Sequence, residues 1–155
     1  MGLCKRHYLI HIEFMNPKIR EKLDREGLQP TFSPESRCFG CGPANDKGLR
    51  IQSIPKGPTG SEVVATFTPE PHHEAFPGVL NGGIIGALLD CHSNWAAAWF
   101  LMQQSQSESP PCTVTADFAV KLLRPTPSQK PVELIATVAE LKSDRAVIDA
   151  VLKSE

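Results

Sequence analysis

Neither sign of charge is in excess in this 155-residue chain: 16 Lys and Arg stand against 17 Asp and Glu, a formal charge of -1. Without a basic surplus there is little to neutralise a phosphate backbone, so nucleic acid is not an expected partner. Without an acidic surplus nothing favours an unfolded chain. Unbroken hydrophobic runs are also missing. The longest apolar stretch, Ile84 to Met102, contains Asp90, His92, Ser93 and Asn94, which excludes a lipid-facing span and predicts a soluble protein with no membrane partner. An even set of cysteines is lacking too. Cys4, Cys38, Cys41, Cys91 and Cys112 are five, and the early run Tyr8 to Met15 is too short and too polar, with His11 and Glu13, for a secretory signal. Reduced thiols and a cytoplasmic location are the expectation. Met1-Gly2-Leu3-Cys4 has Arg6 where a myristoylation signal needs Ser or Thr, and the first fourteen residues are expected to be an appendage ahead of Met15.

Proline and glycine, by contrast, are plentiful: 14 and 11 residues, most of the prolines lying between apolar runs, which argues against an all-helical bundle. NPKIREKLDRE predicts a short charged helix, capped by Asn16, opened by Pro17 and ended by Gly27. With only Ile19 and Leu23 apolar, it is expected at the edge of a domain. Leu28 to Ser36 reads as a linker, so the expected division is an extension over 1–36 and one domain over 37–155. Within that domain the pattern predicts strands over Leu49–Ile54 and Glu62–Pro69, then a long buried helix over Gly82–Met102. A long strand over Thr113–Leu123 and a hairpin of Val132–Leu141 with Ala146–Lys153 follow. Several strands and one greasy helix imply an α+β fold, an antiparallel sheet wrapped around that helix.

FPGVLNGGIIGALLDCHSNW carries the most chemistry. Gly78, Gly82 and Gly83 crowd the helix entrance, where backbone amides lack intrahelical acceptors and the helix dipole is positive. Such a site could polarise a carbonyl oxygen, or it could be a tight turn with close packing. Asp90 lies seven residues after Gly83, about two turns along at ~3.6 residues per turn, on the stripe of Gly86 and Asn94. A carboxylate inside a helix this apolar must be paired, hydrated in a cleft or used. A salt bridge to Lys121 or Arg124, a hydrogen bond to a neighbouring helix terminus and a catalytic role are all open at this point.

The string GVLNGGIIGALLD, preceded by CFGCGPANDKGLRI and followed by VTADFAVKLLRPTP, resembles the hotdog-fold acyl-CoA thioesterases of the phenylacetic-acid-degradation type, in the branch with an N-terminal CFxCGPxNxxGL block. The resemblance covers residues from Arg37 to the C-terminus. It implies an antiparallel sheet around one long helix and a homodimer or homotetramer whose active sites are completed across the interface. It implies hydrolysis of an acyl-CoA without a cofactor. The family's His-Gly-Gly corresponds to Asn81, Gly82 and Gly83, so an amide of Gly82 or Gly83 would polarise the thioester carbonyl. Asn81 would keep a hydrogen-bonding side chain but lose titration near neutrality. The family's acidic residue corresponds to Asp90, as general base or nucleophile, and Thr115, from the other subunit and with Thr113 beside it, would position the water. Phe76, Gly78, Leu80 and Trp95 would border the acyl group, while Lys121, Arg124 and His73 would meet the CoA phosphates. Relatives carry one more strand after the hairpin, so the sheet is expected to be one strand short. A domain that binds acyl-CoA without hydrolysing it is the alternative.

Two further constellations have blander readings. Cys38-Phe39-Gly40-Cys41 has the spacing of half a zinc site, with His72, His73, Cys91, His92 and Cys112 as possible completions. A single CxxC is weak, and in the resembling family this block is a loop, so no metal is expected. Cys91 and His92 are adjacent on a helix and point about 100° apart, which disfavours a nucleophile pair. Trp95 and Trp99 are four apart on one face and read as core.

Overall fold

The computed structural model describes residues 15–57 and 60–154. The expected appendage, 1–14, lies outside them. In chain order the elements are α1 (Pro17–Glu26), α2 (Leu28–Phe32), β1 (Ile54–Lys56), β2 (Glu62–Phe67), a 3-10 turn (Pro71–His73), β3 (Glu74–Phe76), β4 (Val79–Leu80), α3 (Gly82–Ser105), β5 (Val132–Leu141) and β6 (Ala146–Ser154).

The main sheet is antiparallel in the order β1-β2-β5-β6, and β3-β4 form a small separate hairpin. Register follows the hydrophobic alternation: Val63, Ala65 and Phe67 of β2 lie opposite Ala136, Leu134 and Val132 of β5, and all six are buried. One strand further out, Leu134 and Ala136 face Leu152 and Ala150 of β6. The sheet lies over α3, whose buried positions run from Ile85 to Met102 on several sides. No helix among the described residues is long and apolar enough to cross a membrane.

The start of the chain departs from expectation. Asn16 does cap α1, accepting from the Lys18 amide at 2.9 Å, and Gly27 ends it at φ +83°, a left-handed turn that glycine adopts without a Cβ clash. The helix is not peripheral, however. Leu23 and Leu28 are fully buried and pack in one cluster with Val63, Ala96, Trp99, Phe100 and Met102. The expected linker is in part α2, and it carries a buried polar chain. Gln29 Oε1 accepts from the Ser53 amide at 2.8 Å, Gln29 Nε2 donates to Ser53 Oγ at 2.9 Å, and Ser53 Oγ lies 2.9 Å from His92 Nδ1. His92 Nε2 lies 3.0 Å from the Val63 carbonyl. A carbonyl only accepts, so Nε2 bears the proton and Nδ1 accepts from Ser53. Burial pushes the His92 pKa down to about 4, with the bond to Val63 opposing it.

Two expected strands are absent for identifiable reasons. Of Leu49–Ile54 only Ile54 joins the sheet. Leu49 and Ile51 donate instead to the carbonyls of Phe39 and Gly40, and the Ser53 carbonyl accepts from Leu28, so the backbone is tied to the preceding loop. Thr113–Leu123 belongs to neither sheet. It has alternation without a neighbouring strand, and Val114, Phe118, Val120, Leu122 and Leu123 stand exposed. β6 is likewise an edge, with Val147 and Val151 about half exposed.

Candidate active site

The segment without a ladder is laid across α3, and the two meet at every fourth helix residue. A Cβ on Gly82 would lie 3.0 Å from Leu122 Cδ1, and one on Gly86 would lie 4.0 Å from Phe118 Cε1. Asp90 Oδ1 accepts from Thr115 Oγ1 at 2.7 Å. Asn94 Oδ1 accepts from Thr113 Oγ1 at 2.9 Å, and its Nδ2 reaches Thr115 Oγ1 at 3.4 Å. Residues four apart share a helix face, so one stripe of small and polar side chains meets one extended segment. Asp90 is partly exposed at the middle of this stripe. Among the described residues no ion pair joins it to Lys121 or Arg124; its recorded partner is a hydroxyl. The Thr115 contact is made within one chain, whereas the family resemblance implied a threonine from the other subunit.

At the helix entrance Asn81 is the N-cap, and its Oδ1 accepts from the Gly83 amide at 2.7 Å. That amide is therefore engaged, whereas the Gly82 and Ile84 amides of the same first turn have no intrahelical carbonyl to donate to, and Gly82 is the first of them. Beside it opens a cleft of about 390 Å³ lined by Phe76, Leu80, Gly82, Ile85, Leu122, Leu123 and Arg124, among others. Four sequence-derived candidates, Phe76, Leu80, Gly82 and Arg124, thus come together. Asp90, Thr113 and Thr115 form a second group two turns along.

The remaining candidates go elsewhere. Gly78 holds a turn at φ +82°, where its amide donates to Glu74 Oε1 at 3.1 Å. His73 is buried, not poised for phosphate: its Nδ1 accepts from the Glu70 amide at 2.9 Å, and burial, with His72 nearby, pushes its pKa down. Lys121 is exposed. Trp95 donates its indole N-H to Cys41 Sγ at 3.3 Å and packs against both halves of the core, so its polar end is already used.

That indole points to the cluster that spacing left as one of several possible sets. The sulfurs of Cys38, Cys41 and Cys91 all lie within 4.8 Å of one another, Cys38 to Cys91 at 3.6 Å. The Cys41 pKa is pushed down to about 6, chiefly because the Cys91 thiol donates to it, with Trp95 and Cys38 adding donors and burial opposing; the Cys91 pKa is correspondingly raised. None of the histidines weighed as completions belongs to this cluster. Asn94 is the other group that sequence reasoning left without a role, although its position four residues after Asp90 was the available signal.

An antiparallel sheet laid over one long central helix defines a hotdog-type fold, and this one carries a carboxylate on the helix and a cleft at its N-terminus. Comparison with protein-family models and with curated proteins yields no match. Among solved structures, the chain is similar to a thioesterase superfamily protein from Shewanella loihica PV-4. The two are 30% identical with a TM-score of 0.56, over 71% of this chain and 85% of that one. Zebra fish thioesterase superfamily member 2 shares the fold, at 20% identity and a TM-score of 0.54, over 72% of this chain and 78% of that one. The chain belongs to the thioesterase superfamily.

Proposed function

We propose that this protein hydrolyses acyl-CoA thioesters to the free acid and CoA, with Asp90 as the base or nucleophile and the Gly82 amide as the group that polarises the carbonyl. The observation that carries the reading is the Asp90 carboxylate on α3, held at 2.7 Å by Thr115 and unpaired with any cation among the described residues. A hydroxyl donated to one carboxylate oxygen fixes the side chain and leaves the second oxygen for water or for the carbonyl carbon.

The same geometry favours a homodimer. Gly82 and Asp90 are eight residues apart on one helix, so about 12 Å separates them along the axis. One reacting carbonyl must lie within about 3 Å of both groups. Gly82 of one copy therefore works with Asp90 of another, and the exposed apolar side chains of residues 113–123 are the surface such a pairing would cover. Arg124, on the rim of the cleft, is suited to a CoA phosphate, and Phe76, Leu80 and Leu122 to the start of an acyl group.

One observation supports a second reading, binding without turnover. Asn81 occupies the Gly83 amide, leaving the entrance with fewer donors for an oxyanion. Release of CoA thiol from a panel of aromatic and medium-chain acyl-CoAs separates the two. Hydrolysis by the wild type, with kcat/KM falling at least about 100-fold in Asp90→Asn, supports the enzyme. Saturable acyl-CoA binding with no turnover above background would leave the binding reading in its place.

A further inference from the structure

We propose that Cys38, Cys41 and Cys91 bind one zinc ion as three thiolates, with the fourth position open to water on the side of Cys38. At a Zn-S distance of about 2.3 Å, tetrahedral geometry sets neighbouring sulfurs about 3.8 Å apart. Cys38 and Cys91 stand at 3.6 Å, and no pair in the cluster exceeds 4.8 Å. Closing the set on an ion thus needs a shift of about 1 Å at most.

The surroundings are built for sulfur. Gly40 lies between the two loop cysteines, and a Cβ there would come within 2.4 Å of Cys91 Sγ; a residue with a side chain would drive the helix sulfur out. The Cys38 to Cys41 turn is fixed by its own backbone, with the Gly42 amide donating to the Cys38 carbonyl at 2.8 Å. It is also pinned on its far side, where Leu49 and Ile51 donate to Phe39 and Gly40. The Trp95 indole N-H on Cys41 Sγ is a donor to thiolate charge, the orienting contact that ligands of bound metals usually receive. Cys41 and Cys91 are buried and Cys38 is exposed, so the cluster has a wall of protein on one side and an entry path on the other. Three thiols give up their protons to solvent as the ion enters, leaving a net charge of -1 on the centre.

The ion would clip the 38–41 turn to α3 at the residue next to Asp90. The site stands or falls independently of thioester hydrolysis. Two of the three ligands come from a CxxC pair and the third lies 50 residues later, which is why spacing alone leaves Cys91 as one of five possible completions.

The test is metal analysis of the full-length protein, purified under reducing conditions without chelator, followed by zinc titration of the metal-free form against a chromophoric chelator. One equivalent of zinc and a thiolate-to-metal charge-transfer band after cobalt substitution are expected. Cys38→Ser, at an exposed position that leaves the core intact, should weaken binding at least about 100-fold. Cys112→Ser, outside the cluster, should not alter it. Folded wild-type protein that takes up less than a tenth of an equivalent and shows no cobalt-thiolate band would overturn the proposal. So would zinc binding unchanged in Cys38→Ser.

Discussion

Gln29→Ala tests whether the first helices belong to the cooperative fold. The glutamine sits 1% exposed, its Oε1 accepting from the Ser53 amide and its Nε2 donating to Ser53 Oγ, which in turn serves His92. Truncation leaves the Ser53 N-H buried without an acceptor, a cost of about 1–3 kcal/mol, and removes a second bond worth about 0.5–1.5 kcal/mol net. Loss of the side-chain methylenes adds about 1 kcal/mol. The sum is roughly 2.5–5.5 kcal/mol, a large part of the stability of any single domain. Urea denaturation followed by circular dichroism should show one transition with its midpoint moved down and its slope unchanged, and Tm should fall by roughly 10 °C. A loss below about 1 kcal/mol, against the minimum expected for one orphaned buried donor, would refute the reasoning and leave residues 17–32 as an extension that merely rests on the domain.

Two further outcomes are expected. His73 is neutral in the folded state, because burial lowers its pKa below the ordinary 6.5 and its Nδ1 is used as an acceptor. The unfolded chain therefore takes up the proton first, and stability falls as pH drops below 6.5. Relative to His73→Asn, the wild type should lose denaturation midpoint between pH 7.5 and 5.5, and a pH-independent difference would contradict this. Thr115→Val removes the hydroxyl from Asp90 and should lower kcat roughly 10- to 100-fold with KM little changed; an equal loss in kcat and gain in KM would mean that Thr115 only shapes the pocket.

Local signals were the legible part of this fold. Asn16, Pro17 and Gly27 bound α1 as capping chemistry requires, α3 follows from its apolar content, and the hairpin of β5 and β6 from two runs around a polar turn. What failed depends on partners far along the chain. Thr113–Leu123 alternates as a strand does, but a strand also needs a neighbour's carbonyls and amides, and alternation carries no information about that. Gln29, Ser53 and His92 meet across 24 and 39 residues, and nothing local in any of them marks the encounter. Cys91 is similar, joined to the CxxC turn only by the fold. In the candidate site, the family resemblance named Asp90 and Thr115 but set the threonine on the other subunit, and their contact within one chain comes only with the fold. The capture of the Gly83 amide by Asn81 could have been read from the sequence, since an asparagine just before a helix is a capping residue.

The stripe on α3 joins a buried helix to a segment that belongs to neither sheet. Its helix side is locked by i to i-4 bonds and core packing, whereas its other side rests on side-chain contacts from Leu122, Phe118, Thr115 and Thr113. Local opening of residues 113–123 therefore requires no sheet to break, and its free energy lies well below that of global unfolding. Amides there should exchange with solvent far sooner than those of α3. Asp90 thus sits on a seam, its backbone held by a core helix and its hydroxyl partner delivered by a segment outside both sheets, so the carboxylate can gain or lose that partner while the protein as a whole stays folded.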